Sequence, residues 1–278
     1  MRLAGPLFKE FSNPEEWINV VKQYGYSAAT CPINADANNN LIEEYKKSAK
    51  ESNIIISEVG AWSNPISPDD KIRNQAIEHC KIQLELAEKL EAKCCVNIAG
   101  SRGEQWDGPY AENFSDDTFD LIVKTTQDII DAVNPKKTFF CLETMPWIFP
   151  DSADSYLRLL KAIDRKQFAV HLDPVNMICS PSRYFNNGEF IKECFDKLGK
   201  YIKNCHAKDI KLSGKLTVHL DEAVPGDGAL DYKTFLRELD KLDPDISLTI
   251  EHLHKEEDSI RAANYIRNVA NMVAVKIK

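Results

Sequence analysis

TFFCLE, at residues 138–143, is a short apolar run that ends on a carboxylate. Three later runs also end on a polar side chain, namely FAVHLD (168–173), YIKNCH (201–206) and SLTIE (247–251). Helix-length segments separate these runs, which is the pattern of buried parallel strands. The terminal side chains would then lie at successive strand C-termini and point toward one another; they are Glu143, Asp173, His206 and Glu251. Two glutamates, one aspartate and one histidine that converge in this way predict a divalent metal site.

The rest of the chain repeats the alternation of strand-like and helix-like segments without a linker. Four earlier strands are predicted at Arg2–Ala4, Ser27–Cys31, Ile54–Val59 and Cys94–Ala99. Helices are predicted at residues 13–25, 38–52, 67–92, 115–133, 152–163, 187–198, 231–241 and 256–273. In the helix at 67–92, Ile72 is the first residue of the predicted buried stripe.

Eight such units favour an α/β fold of the (β/α)8 TIM barrel type, with residues 1–278 as a single domain. An open, doubly wound sheet is the alternative. It would usually have fewer strands or a second domain, and no GxGxxG motif follows the first strand. The chemistry of a closed barrel lies at the C-terminal ends of its strands.

The composition excludes several classes of protein. A net charge of -8, without a basic block, argues against a nucleic-acid partner. No apolar run approaches membrane-spanning length, and residues 1–11 lack the pattern of a signal peptide. The eight cysteines are scattered and form no CxxC pair, which is typical of small core residues in a reducing compartment. We therefore expect a cytoplasmic protein that does not bind a membrane.

Several short motifs occur in order at the strand ends and before a late helix. They are LET (142–144), HLDP (171–174), CHAKD (205–209), PGDG (225–228) with LDY (230–232), and IEH (250–252). Each motif alone is weak, but the ordered set resembles the xylose-isomerase-like TIM barrels. It is most similar to their sugar and sugar-phosphate isomerase and epimerase group, which includes ketose 3-epimerases and inosose isomerases. The resemblance covers nearly the whole chain.

The resemblance implies an enzyme that acts on a small-molecule sugar or keto-sugar. One divalent metal ion would be held by Glu143, Asp173, His206 and Glu251, and the two glutamates would be the catalytic acid and base on opposite faces of the substrate carbon. The reaction would pass through a metal-stabilised cis-enediolate. Three carboxylates and an imidazole are typical of Mn²⁺, Mg²⁺ or Co²⁺, with Zn²⁺ as an option, and Mn²⁺ is our first choice. Association into a homodimer or homotetramer is also an expectation from the resemblance.

One departure from the group concerns the residue three positions after the aspartate, where many epimerases have histidine and this chain has Asn176. Asparagine can hydrogen-bond a sugar hydroxyl, but it cannot act as an acid or a base. His171 shares the inward face with Asp173 and is a second candidate for contact with the substrate or the ligands.

Further candidates for substrate binding follow the third, fourth and fifth strands. Tryptophan faces suit the apolar side of a sugar ring, and an arginine suits a hydroxyl, carboxylate or phosphate. Each of these residues also has a common structural role, in packing or in surface ion pairs. They are Glu58, Trp62, Arg102, Trp106 and Trp147.

Three alternatives to an isomerase or epimerase remain open at this point. A lyase would keep the metal site but expel a leaving group, as in an inosose dehydratase or an enzyme that cleaves keto-glycosides or C-glycosides; Asn176 and the tryptophan-bearing loops fit this outcome. A DNA repair endonuclease of the same superfamily would need more than the six histidines present and a less acidic chain. A sugar-binding or scaffold protein would leave one or more of the four ligands apart from the others.

Overall fold

Eleven strands are present in the computed structural model, which describes residues 1–278. Their bounds are β1 Arg2–Ala4, β2 Ala28–Ala29, β3 Ile55–Ile56, β4 Glu58–Gly60, β5 Cys94–Asn97, β6 Phe140–Glu143, β7 Phe168–Leu172, β8 Ile202–Ala207, β9 Asp209–Ser213, β10 His219–Ala223 and β11 Ser247–Ile250. Seven of them form one parallel sheet in the order β1-β11-β8-β7-β6-β5-β4.

The parallel pair β2–β3 closes the sheet into a barrel. The amide of Ser27 donates to Leu3 O on β1 at 3.2 Å, and the amide of Cys31 donates to Glu58 O on β4 at 2.9 Å. Because β3 and β4 continue one another across Ser57, the ring has eight strand positions: β1, β2, β3–β4, β5, β6, β7, β8 and β11. The predicted (β/α)8 barrel is therefore confirmed.

Nine α-helices connect the strands. Their bounds are α1 Pro14–Gln23, α2 Asn39–Glu51, α3 Asp70–Leu90, α4 Asp116–Val133, α5 Ala153–Ile163, α6 Pro181–Phe185, α7 Asn187–Leu198, α8 Tyr232–Asp240 and α9 Glu256–Met272. Three short 3₁₀ turns at 111–114, 175–177 and 199–201 complete the secondary structure. The buried helix faces pack against strands that are themselves buried almost throughout, as expected for parallel strands covered by helices. None of the helices combines the length and apolar composition needed to cross a bilayer.

The third helix begins later than its sequence pattern suggested. The Asp69 carboxylate accepts hydrogen bonds from the amides of Lys71 and Ile72, at 2.8 and 3.0 Å, which makes Asp69 the N-cap. Ile72 therefore lies in the first turn of α3, and it is 51% exposed. Its predicted place in the buried stripe is wrong, whereas Ala76, Cys80 and Leu84 of the same stripe are buried.

Strands β9 and β10 form an antiparallel hairpin that the sequence did not reveal. The segment His219–Ala223 is mostly exposed and lacks the apolar alternation by which strands are recognised. At the base of the hairpin, the Asp209 carboxylate accepts hydrogen bonds from the amides of Gly226 (2.9 Å), Gly228 (3.2 Å) and Leu230 (2.8 Å). A Cβ at Gly228 would lie 2.3 Å from Asp209 Oδ1, so the glycine is required for this turn. The last two residues of CHAKD thus include one, Asp209, that shapes the path into α8.

At the opposite end of the barrel, the buried guanidinium of Arg2 joins three segments. Its Nε donates to Asp245 Oδ1 at 2.8 Å, and its other nitrogens donate to Asn53 Oδ1 at 2.8 Å and Ser27 O at 3.2 Å. Hydrogen bonds from Lys278 and Arg2 lower the pKa of Asp245 to about 2. Because Asp245 is partly exposed, solvent screens this interaction.

We expect Asp245→Asn to lower the free energy of unfolding by about 1 kcal/mol at pH 7. The pKa of Asp245 in the folded protein is below its value of about 3.9 in the unfolded chain, so the stabilisation is complete above that value. It should disappear as the pH falls from about 4 toward 2. Urea denaturation of both proteins across this range measures the effect; a difference that does not change with pH would contradict the assignment.

Candidate metal centre

Four side chains from neighbouring strands meet at the C-terminal mouth of the barrel. Glu143 is the last residue of β6, Asp173 directly follows β7, His206 lies near the end of β8, and Glu251 directly follows β11. Since β6, β7, β8 and β11 are consecutive in the sheet, their ends adjoin. One ligand atom from each side chain lies within 4.8 Å of the others. His206 Nδ1 is 3.1 Å from Glu143 Oε1 and 2.8 Å from Glu251 Oε1.

Local hydrogen bonds hold Asp173 in place. Its Oδ1 accepts from the amides of Val175 and Asn176, at 2.9 and 3.2 Å, within the turn that follows β7. The Thr144 hydroxyl accepts from the Asp173 amide at 3.0 Å and donates to the Asp173 carbonyl at 2.8 Å. One carboxylate oxygen is thereby fixed to the backbone, and Oδ2 remains directed into the cluster.

The residues present fit a divalent cation. Asp173 Oδ2 and Glu251 Oε1 are buried and make no hydrogen bond of suitable geometry, although the Lys208 ammonium lies 2.8 and 2.6 Å away. Buried polar atoms are rarely left in this state without a ligand to bind. Three carboxylates and one imidazole nitrogen, without a thiolate, form a donor set for a hard or borderline ion.

The charges of the cluster perturb one another strongly. Burial lowers the pKa of His206, but Glu251, Glu143 and Glu58 raise it further, so that it lies well above its ordinary value. Burial raises the pKa of Asp173 to about 7, against the opposing effect of Lys208. Protons therefore compete with a divalent ion for His206 and Asp173, and ion binding should release protons.

A second buried polar layer lies beneath the ligands. Glu58 Oε2 is 3.0 Å from His171 Nε2 and 3.4 Å from His206 Nε2, and the Asn204 amide group donates to the same oxygen at 2.5 Å. Burial raises the pKa of Glu58, but His206 and His171 lower it further, to about 2. An ionised Glu58 thus faces the nitrogen of His206 that points away from the other ligands. His171 is fully buried in this layer and does not line the cavity above.

A cavity of about 520 Å³ opens above the four ligands. Trp62, Trp106 and Trp147 line it, and the Trp147 indole nitrogen donates to Asp107 O at 2.6 Å, which ties two loops together. Asn176 also lines the cavity and donates to Glu143 Oε1 at 3.1 Å. Arg102 lies outside the cavity lining, because its guanidinium donates to Ile66 O at 2.6 Å and its amide to Asn113.

Three residues of the site were not singled out from the sequence. Lys208 lines the cavity, and its ammonium contacts the ligand carboxylates. Glu222, from β10, and His252 are also in the lining, and their side chains meet at 3.0 Å. Lys208 could have been found, since it lies two residues after His206 on the same strand end and therefore points the same way.

The chain was compared with known families and structures. The profile of the family described as Xylose isomerase-like TIM barrel matches residues 18–269. No curated protein sequence matches the chain.

Among solved structures, D-psicose 3-epimerase from Clostridium cellulolyticum H10, with D-tagatose, has a TM-score of 0.70 at 18% identity, over 99% of this chain and 100% of that one. The probable 3-DHS dehydratase AsbF from Bacillus anthracis has a TM-score of 0.72 at 16% identity, over 98% and 99%. A xylose isomerase-like TIM barrel protein from Mycobacterium smegmatis, in complex with magnesium, has a TM-score of 0.68 at 13% identity, over 98% and 95%. At these identities the likenesses concern the fold. Together with the profile match, they place this chain in the family of xylose isomerase-like TIM barrels.

Proposed function

We propose that the chain is a divalent-metal-dependent sugar isomerase or epimerase. The observation that carries this proposal is the convergence of Glu143, Asp173, His206 and Glu251 at the floor of a cavity of about 520 Å³. The C-terminal mouth of a TIM barrel is where such enzymes carry out their chemistry. Of the structures compared, one is a ketose 3-epimerase and another a probable dehydratase, so both outcomes belong to this fold.

In this proposal, Glu143 and Glu251 are the two proton-transfer groups. A bound divalent ion would supply Lewis-acid polarisation of neighbouring substrate oxygens, which lowers the cost of forming negative charge on them. One glutamate removes the proton from the carbon next to the carbonyl, which leaves an enediolate. The other returns a proton to the opposite face of that carbon, or to the neighbouring carbon. Asn176 supports this role, since its amide group donates to Glu143 and holds the carboxylate toward the cavity.

The lining of the cavity favours an uncharged sugar over a phosphorylated or acidic one. Its carboxylates are those of Glu58, Asp107, Glu143, Glu222 and Glu251, whereas its cationic candidates are only Lys208 and His252. Both of these already face carboxylates. A phosphate would therefore enter a field of like charge. The tryptophans offer flat apolar faces to a sugar ring.

The test combines metal analysis with product analysis. We expect the purified protein, loaded with Mn²⁺, to interconvert free ketohexoses in D₂O, with deuterium incorporated next to the carbonyl in the NMR spectrum of the product. The corresponding ketose phosphates should be poorer substrates. Release of an aglycone from 3-keto-glycosides, without turnover of any ketose, would overturn this choice.

A lyase acting on a keto-sugar is the second candidate function. It would use the same proton abstraction, but the enediolate would expel a leaving group instead of being reprotonated. Asn176 favours this candidate, because an amide cannot return a proton as an imidazole can. Both an inosose dehydratase and an enzyme that cleaves keto-glycosides or C-glycosides fit this description, and the same NMR experiment distinguishes them from an epimerase.

Four further properties complete the proposal. Mn²⁺ is the proposed ion, since the donor set is oxygen-rich with one imidazole. Residues 1–278 are proposed to form one domain, because strand pairing runs continuously around the barrel. We propose a cytoplasmic location on the basis of the eight unpaired cysteines. The homodimer or homotetramer is proposed from the family resemblance.

A further inference from the structure

Lys208 has the most densely charged surroundings of the site. Its side chain is 2% exposed, and Nζ lies 2.6 Å from Glu251 Oε1 and 2.8 Å from Asp173 Oδ2. Glu143 Oε1 and Glu222 Oε2 are both 3.8 Å away. A buried ammonium surrounded by carboxylates stabilises them as long as it stays, and its removal leaves uncompensated charge.

The oxygens that Lys208 contacts are those that a divalent ion would bind. Asp173 Oδ2 and Glu251 Oε1 are the two oxygens without a hydrogen bond of suitable geometry. Two cations cannot share the same carboxylate oxygens at short distance without strong repulsion in a buried site. The ammonium and the ion are therefore alternatives at these two positions.

Lys208 has other partners, which an ion does not need. Its Nζ lies 3.3 Å from Asn176 Oδ1, which faces the cavity, and 3.8 Å from Glu222 of the hairpin. The strand end itself is fixed, since the Tyr232 hydroxyl donates to Lys208 O at 2.7 Å. The ammonium can give up two carboxylate oxygens and still keep polar contacts, without a change in the backbone.

We propose that Lys208 is a built-in competitor of the metal ion: it holds the carboxylates of Asp173 and Glu251 together and thereby sets the affinity of the centre. This inference rests on the proposed metal site. It makes Lys208 a positioning residue for the ligands, and it explains how the carboxylates of Glu143, Asp173 and Glu251 can be buried side by side while the chain folds. The centre would then bind its ion reversibly, because part of the charge attraction is already satisfied.

The test is calorimetric titration of the protein with Mn²⁺. We expect Lys208→Met to bind Mn²⁺ at least about tenfold more tightly than the wild type, since the substitution removes both the competitor and a like charge. Without Mn²⁺, the Tm of the variant should be lower than that of the wild type, and Mn²⁺ should raise it by more. Lys208→Arg, which keeps the charge, should bind as the wild type does. Lys211→Met is the matched control, because Lys211 is an exposed lysine on the adjoining strand.

The outcomes separate this inference from the proposed function. If the wild type binds Mn²⁺ and Lys208→Met binds it equally or more weakly, competition is refuted while the metal site stands. If no protein of the series binds Mn²⁺, the metal site and the inference both fail. Should Lys208→Met fold only in the presence of Mn²⁺, the ion has replaced the ammonium and the inference is supported. Lys208→Gln is the second uncharged variant, and the same tighter binding is expected of it.

Discussion

Glu143→Gln is expected to reduce turnover by about 10²- to 10⁴-fold, the range that general acid–base catalysis contributes. Glutamine has nearly the same shape as glutamate and can still accept the hydrogen bond from Asn176, but it cannot take up a proton. The barrel should stay folded, with an unchanged circular dichroism spectrum. Because Glu143 is also a proposed ligand, kcat should be measured at saturating Mn²⁺, with the bound metal determined in the same sample.

Comparison with Glu251→Gln makes this experiment sharper. In an epimerase each glutamate serves one face of the carbon, so both variants should lose full turnover. Each should still exchange the substrate proton with D₂O from the epimer whose proton the remaining glutamate removes. Glu112→Gln, a change at an exposed glutamate, is the control for the substitution itself. A metal-loaded Glu143→Gln protein with full activity would refute the catalytic role of Glu143.

Glu58→Gln is expected to weaken Mn²⁺ binding by about 10- to 100-fold, the usual effect of losing the partner of a ligating histidine. The ionised Glu58 carboxylate lies 3.4 Å from His206 Nε2, and an amide there would lose the charge that orients the ring and makes Nδ1 a better donor to the ion. Calorimetric titration with Mn²⁺ measures the change. The pH at which Mn²⁺ binding is half-maximal should also change, because the carboxylate raises the pKa of His206.

Glu88→Gln provides a control for the loss of a hydrogen-bonded carboxylate. The Glu88 carboxylate accepts from the amides of Lys137 and Thr138, at 2.9 and 3.1 Å, before the start of β6 and therefore at the far end of the barrel. This variant should lose stability without a change in Mn²⁺ affinity. Equal Mn²⁺ affinity in Glu58→Gln and the wild type would show that Glu58 does not act through His206.

The sequence was informative about the barrel and the four ligands because both depend on local patterns. Strands that are buried on two faces read as apolar runs, and a polar residue at the end of such a run is conspicuous. Asp173 and Glu251 directly follow β7 and β11, and Glu143 ends β6. The helices were found from their caps and apolar stripes, with errors at their ends such as the one that displaced Ile72.

The remaining parts of the site depend on loop paths, which a local pattern does not determine. Arg102 follows β5 at a suitable distance, yet the Ile66 carbonyl and Asn113 draw it away from the cavity. Glu222 and His252 meet only because the hairpin β9–β10 folds over the barrel mouth, and its second strand is too polar to be recognised. Glu58 ends no apolar run, and its place beneath His206 follows from the closure of the barrel.

The proposed ligands all come from one arc of the barrel, at the ends of β6, β7, β8 and β11, whereas Trp62 and Trp106 come from loops after β4 and β5 on the other side. This division makes the fold evolvable. Loops of the second arc can be lengthened, exchanged or grafted from a relative to admit a different sugar, while the proton-transfer apparatus is inherited unchanged.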